Sequence, residues 1–345
     1  MDLFSFLPTE ILLKILHALP DFLALHRLLL ASDRAARVFA HHGGYVLEDV
    51  LRAYPGTSFN LHRLFRSVAL VRGHVRDGRT MQEFVAWMNA NDGIALAGLK
   101  LPSPVLIEMV SVAANIQQLA CACLRKLLNR IQHLQTRLEP TTPAPYPPEE
   151  PLSWMEEYRV HRALWYLQLF WDLHVKFDAA QPSRISEYYE TVGSSYCWIE
   201  EEILCMACCI SSMGTESAAP SDIIPLPSAR SLPIHAEWTM APVPDNSGRD
   251  LFKSRPPSWA NLGGSAYYIW SLRTDINPQT EDERHVTAFL SLRKLGIWFW
   301  DRERIEMLGM DIQERSEESG EVTPEERARV RQRWWDVARI GHAMD

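Results

Sequence analysis

Apolar residues recur along most of this chain at spacings of three and four, and alternation with period two is almost absent. That pattern predicts helices throughout. It is densest at the start, where Ile11, Leu12, Ile15, Leu16 and Leu19 share one side of a short helix. Pro8 suits the first helical position, because its φ is already helical and its missing N–H would have had no partner there. Glu10 falls in the first turn, near the positive end of the helix dipole. Pro20 stops the helix by pushing Leu19 out of helical space. A helix this short is marginal alone in water and must pack against something. A second helix opens at Asp21, a good N-cap, with Leu25, Leu28 and Leu29 at helical spacing. A third is expected over 33–40, with Ala36 and Phe39 turned inward and Gly43-Gly44 ending it.

Three short helices led by Leu7-Pro8-Thr9-Glu10-Ile11 resemble the F-box. In that family the module docks on the Skp linker subunit of a cullin-RING (SCF) ubiquitin ligase. The resemblance covers roughly residues 4–48 and is best over Leu7 to Leu30. The family's usual Trp near the end of the module is replaced here by Ala36 or Phe39. The resemblance implies a non-catalytic adaptor that brings a protein substrate to the ligase. Its Skp-binding face would draw on Leu7, Pro8, Ile11, Leu12, Ile15, Leu16 and Leu19, with Leu25 and Leu28 from the second helix. Some of these must instead face the module's own interior, and the sequence does not divide them. The alternative from a different class is a helical scaffold or interaction protein whose N-terminal helices pack into its own core. An adaptor leaves the Leu7–Leu19 face uncovered, whereas a scaffold buries it.

Beyond the start, Thr80-Met81-Gln82-Glu83 fits a capping box and launches a helix through Trp87-Met88. After Pro102-Ser103-Pro104, no Gly or Pro interrupts Val105 to Glu139. That helix would be roughly 50 Å long, with one buried stripe from Leu106 to Leu138. Six prolines between Pro140 and Pro151 predict an extended linker. Ser153-Trp154-Met155-Glu156 caps an aromatic-rich helix, and a second follows Pro182 through Ala207. Residues 211–262 carry eight prolines and read as a long irregular loop. Thr280 caps a helix expected to run to Leu308, and Thr323-Pro324-Glu325-Glu326 starts the last, with Val330, Trp334, Val337 and Ile340 on one side. The stretch Leu295-Gly296-Ile297-Trp298-Phe299-Trp300 is similar to segments of filamentous-fungal F-box-like proteins. The expected architecture is all-α: an F-box-like module (1–48), a region with a long core helix (49–139), the linker (140–151) and an aromatic-rich helical domain (152–345).

Charge changes this picture only in what it excludes. Of a net charge of −8, residues 1–139 contribute +4 and residues 140–345 contribute −12. That asymmetry argues against nucleic acid as a partner, since phosphate contacts need clustered positive charge. No uninterrupted run of apolar residues is long enough for a membrane span, and none is expected. Six Cys within helical patterns read as reduced thiols, pointing to the cytoplasm or nucleus. There is no Gly-rich phosphate loop, no His-Glu-x-x-His and no Gly-x-Ser-x-Gly, so no catalytic residue, cofactor or metal is expected. Cys205-Met206-Ala207-Cys208 has a C-x-x-C spacing but lacks a second pair, and reads as buried thiols. Eleven of the twelve Trp follow residue 151 and mostly suit a core. Trp238 and Trp259 lie in Pro-flanked irregular segments, which makes them the candidates for contacting a substrate.

Overall fold

The computed structural model describes residues 3–53, 59–74, 78–138, 152–177, 184–192, 197–213, 222–231, 290–301, 304–305, 308–310 and 324–343. These are about 81% helical with no strand, so the fold is all-α. In order the helices are α1 (Thr9–His17), α2 (Phe22–Ala31), α3 (Asp33–Ala53), α4 (Phe59–Gly73), α5 (Met81–Asn91), α6 (Ser103–Arg137), α7 (Trp154–Phe177), α8 (Ile185–Val192) and α9 (Cys197–Ser211). A helical stretch at 290–295 follows, then α10 (Pro324–His342).

Helix α6 is the axis of the molecule. It packs against α2, α3, α4, α7 and α9, and α10 touches it as well. Its stripe from Leu106 through Met109, Ile116, Leu127 and Leu134 is buried, as its spacing predicted. Among the described residues it is the one helix long and apolar enough to cross a membrane, and 61% of its most apolar window is buried inside the chain. Helix α7 is buried nearly all round, charged residues included. Its charges survive there because each meets a partner: Arg162 pairs with Glu202 of α9 at 2.6 Å, and Arg304 with Glu156 at 2.8 Å. The Arg159 guanidinium donates to the carbonyls of Phe299 and Trp300. Unpaired, such buried charges would cost several kcal/mol each.

Local signals placed several helix starts well. Thr80 and Glu83 form a complete capping box. Ser153 and Glu156 exchange the same pair of bonds. Pro8 sits one place earlier than expected, as the N-cap of α1, and its carbonyl accepts from the N–H groups of Ile11 and Leu12.

Three expectations are corrected. The third helix does not end at Gly43-Gly44 but continues to Ala53, across the boundary expected at residue 48. Neither glycine adopts a positive φ. A Cβ on Gly44 would lie 3.0 Å from the Ala97 backbone, and one on Gly43 would lie 3.1 Å from the Phe39 ring. The glycines therefore permit close packing rather than termination. Next, the helix expected through Ala207 is two, α8 and α9. Finally, the helix expected to reach Leu308 breaks at Gly296, whose φ is +70° and whose Cβ would strike Leu127 at 2.8 Å. The Pro140–Pro151 linker and the start at Thr280 lie outside the described residues, as does most of 211–262. One continuous apolar core runs from Leu12 to Ala338.

Candidate docking surface

The N-terminal helices are positioned by α3 and α6. Helix α1 lies on α3, and α2 lies between α3 and α6. Leu12 and Leu16, four apart, form the inner side of α1 and are wholly buried. At its C-terminal end the His17 ring nitrogen Nδ1 stands 2.6 Å from the Asp49 carboxylate of α3. The first turn has no side-chain cap.

Pro8, Ile11 and Ile15 fall at i, i+3 and i+7 along the outer flank of that same apolar side of α1, beside the buried pair. Pro8 is exposed, Ile11 is 43% exposed and Ile15 is half-buried. Phe6 and Leu7 lead into this stripe from a 3-10 turn over Leu3–Phe6. Phe6, at 73%, is the most exposed large apolar side chain among the described residues. These five apolar residues, two of them half-buried, follow one another along the N-terminal edge. A single exposed apolar residue needs no explanation, but a contiguous strip marks an interaction site.

The sequence-derived face therefore divides. Leu12, Leu16 and Leu25 are fully buried in the chain's own core and take no part in an exposed surface. Leu19 and Leu28 are half-buried and pack against that core. Leu7, Pro8, Ile11 and Ile15 stay on the outer side. Phe6 was missed, although its place two residues before Pro8 in an apolar run is a usable signal. Trp238 and Trp259 lie outside the described residues.

Helix α2 is held more firmly than α1. Asp21 Oδ1 accepts from the Ala24 N–H at 2.7 Å. The Leu23 N–H donates to Gln117 Oε1 of α6 at 3.1 Å. Two of the donors left over at a helix start are thus satisfied, one of them across the fold.

Five of the six cysteines are described, all as free thiols and four of them buried. Burial pushes the Cys121 thiol up to about 12 and Cys208 to about 11. Cys123, on α6, is raised by its hydrogen bond to Cys209 of α9 and by burial. That same hydrogen bond lowers Cys209, which is wholly buried; the thiols that burial raises are poor nucleophiles and poor ligands. Among the described residues no group of three or more His, Cys, Asp or Glu is arranged to hold a metal ion.

Comparison with known proteins adds no relative: no family model, curated protein or solved structure matches the chain.

Proposed function

We propose that this chain is a substrate-recognition adaptor of an SCF ubiquitin ligase, docking on the Skp linker subunit through the strip formed by Phe6, Leu7, Pro8, Ile11 and Ile15. The observation that carries this reading is that strip. An apolar edge stays uncovered on the very helix whose Leu-Pro-x-Glu-Ile start resembles the F-box. The adaptor itself performs no chemistry. It raises the effective concentration of a protein substrate beside the ubiquitin-transfer enzyme. Burying two or three such side chains in an interface is worth about 1.5–3 kcal/mol each, before association costs are subtracted. The reading implies a cytoplasmic or nuclear protein, with neither nucleic acid nor membrane as a partner.

A second reading has its own support. Leu12, Leu16 and Leu25 are sealed in the core, and α2 is fixed on α6. An N-terminal part so integrated with the rest also suits a helical scaffold. Co-purification of the full chain with the Skp subunit separates the two. The comparison is between wild type and a Pro8→Ala, Ile11→Asp double variant, both at outward-facing positions. The adaptor reading expects retention of wild type and loss of the variant at an unchanged melting temperature. Failure of wild type to be retained, or equal retention of the folded variant, would leave the scaffold.

A further inference from the structure

A cleft of about 590 Å³ opens between α2, α6, Gln168 of α7 and the segment 222–231. Its charged lining is of one sign. Arg27 and His26 come from α2, Arg230 comes from the 3-10 turn Ala229–Ser231, and among the described residues no carboxylate lines it. Burial, and then the nearby charge of Arg230, hold the His26 ring below its ordinary pKa. Both arginines are exposed, and two like charges lining one cleft raise the local concentration of anions there.

The cations stand on rigid supports. Asn115 of α6 grips the segment before Arg230 by its backbone. Its Nδ2 donates to the Pro227 carbonyl at 3.1 Å, and its Oδ1 accepts from the Ala229 N–H at 2.8 Å. Farther along, Arg184 and Asp222 form an isolated antiparallel bridge that tethers the same segment. Arg27 rides on α2, which Gln117 holds to α6. Ser111, which is exposed, and Gln118, half-buried, supply polar groups from α6, while Leu23, Leu30 and Leu226 supply apolar wall. Guanidinium groups on fixed elements suit carboxylate and phosphate oxygens, which they bind in a two-pronged fashion. The volume lies within the range of small-ligand sites.

We infer that this cleft is a binding site for a small organic anion, a phosphate or carboxylate carried on a partly apolar body, gripped by Arg27 and Arg230. The inference does not depend on the docking of the N-terminal strip, which lies on α1.

Calorimetric titration of the full chain with phenyl phosphate, benzoate and inorganic phosphate tests it. Phenyl phosphate or benzoate should bind saturably at one site, and more tightly than inorganic phosphate, which lacks the apolar body. A preference for phenyl phosphate identifies a phosphoryl ligand, and a preference for benzoate a carboxylate. The Arg27→Gln, Arg230→Gln double variant should bind at least about tenfold more weakly, while Arg37→Gln, an exposed arginine of α3 outside the cleft, should not change. Ser111→Trp, which places a bulky ring in the cleft from α6 and leaves both arginines in the sequence, should also weaken binding. The arginine variant should melt no lower than wild type, because it removes two like charges. Absence of saturable binding by both aromatic anions, undiminished binding by the double variant, or a lowered melting temperature in it would overturn the assignment.

Discussion

Helices α1 and α2 are consecutive, nine and ten residues long, and both rich in leucine. Yet the fold treats them as different kinds of object. Helix α1 rests chiefly on α3, has no side-chain cap and leaves apolar residues outside. Helix α2 is gripped by α3 and α6, is capped twice, and turns a cationic face to a cleft. Amphipathic spacing alone does not distinguish a helix that completes a core from one that offers a face. The number of neighbours and the fate of the first-turn N–H groups do.

The sharpest way to break this contrast is to cut into each helix at matched depth. Leu25→Ala in α2 and Leu16→Ala in α1 both empty a fully buried site and should each cost about 2–5 kcal/mol. Ile11→Ala, on the outer edge of α1, should change stability by less than about 0.5 kcal/mol. Urea denaturation reads all three. A large loss for Ile11→Ala would mean that the strip is covered in solution.

Acid should loosen the ground beneath α2. A cavity of about 10 Å³ there is lined by Phe22, Gln117, Trp165 and His161. Burial lowers the His161 pKa to about 4. An unfolded histidine takes up its proton near 6.5. Unfolding therefore binds a proton between those values, and the stability due to a neutral His161 is complete above about pH 6.5 and lost as the pH falls towards 4. The loss amounts to about 3 kcal/mol at roughly 1.4 kcal/mol per unit. Denaturation of wild type and His161→Gln at pH 7 and pH 4.5 isolates this contribution from the carboxylates. The variant should show the flatter pH dependence, and equal slopes would remove His161 from the account.

The cross-fold cap ranks next. Gln117→Leu leaves the Leu23 N–H without its acceptor and should cost about 1–3 kcal/mol. Amide hydrogen exchange gives the local reading: protection at residues 22–25 should fall well below that of wild type, while α1 is unaffected. Unchanged protection would mean that Asp21 alone suffices as the cap.

How much of this was legible follows from the range of the forces. Asp21, Thr80 with Glu83, and Ser153 with Glu156 act within one turn, so their caps could be read directly from the sequence. The α6 stripe was legible for the same reason, since its period is set by the helix itself. What was not legible depends on partners distant in sequence. Gly43-Gly44 resembles a stop until Ala97 and Leu106 are seen to need the space. The charges of α7 resemble a solvated face until Glu202, Asp301 and Arg304 are found opposite them. The division of the N-terminal leucines is of this second kind, because α3 decides which side of α1 is inside. The Arg27 and Arg230 cleft joins residues some two hundred positions apart, and no local pattern could have announced it.

The smallest effect tests how tightly α1 is held. His17 and Asp49 are 29% and 43% exposed, so solvent screens their attraction, and Asp49 also faces Arg52 at 3.5 Å. A double-mutant cycle with His17→Ala and Asp49→Ala should give a coupling below about 1 kcal/mol. The local consequence should exceed the global one. With the pin gone, the end of α1 beyond Leu16 has little to keep it on α3, and amide exchange at residues 16–18 should quicken while α2 keeps its protection. A helix loosened at that end still presents Pro8 and Ile11 near its start, so the double variant should retain most of any binding carried by the strip. A coupling well above 1 kcal/mol would show α1 to be fixed as firmly as α2, and the difference between the two helices would then rest on exposure alone.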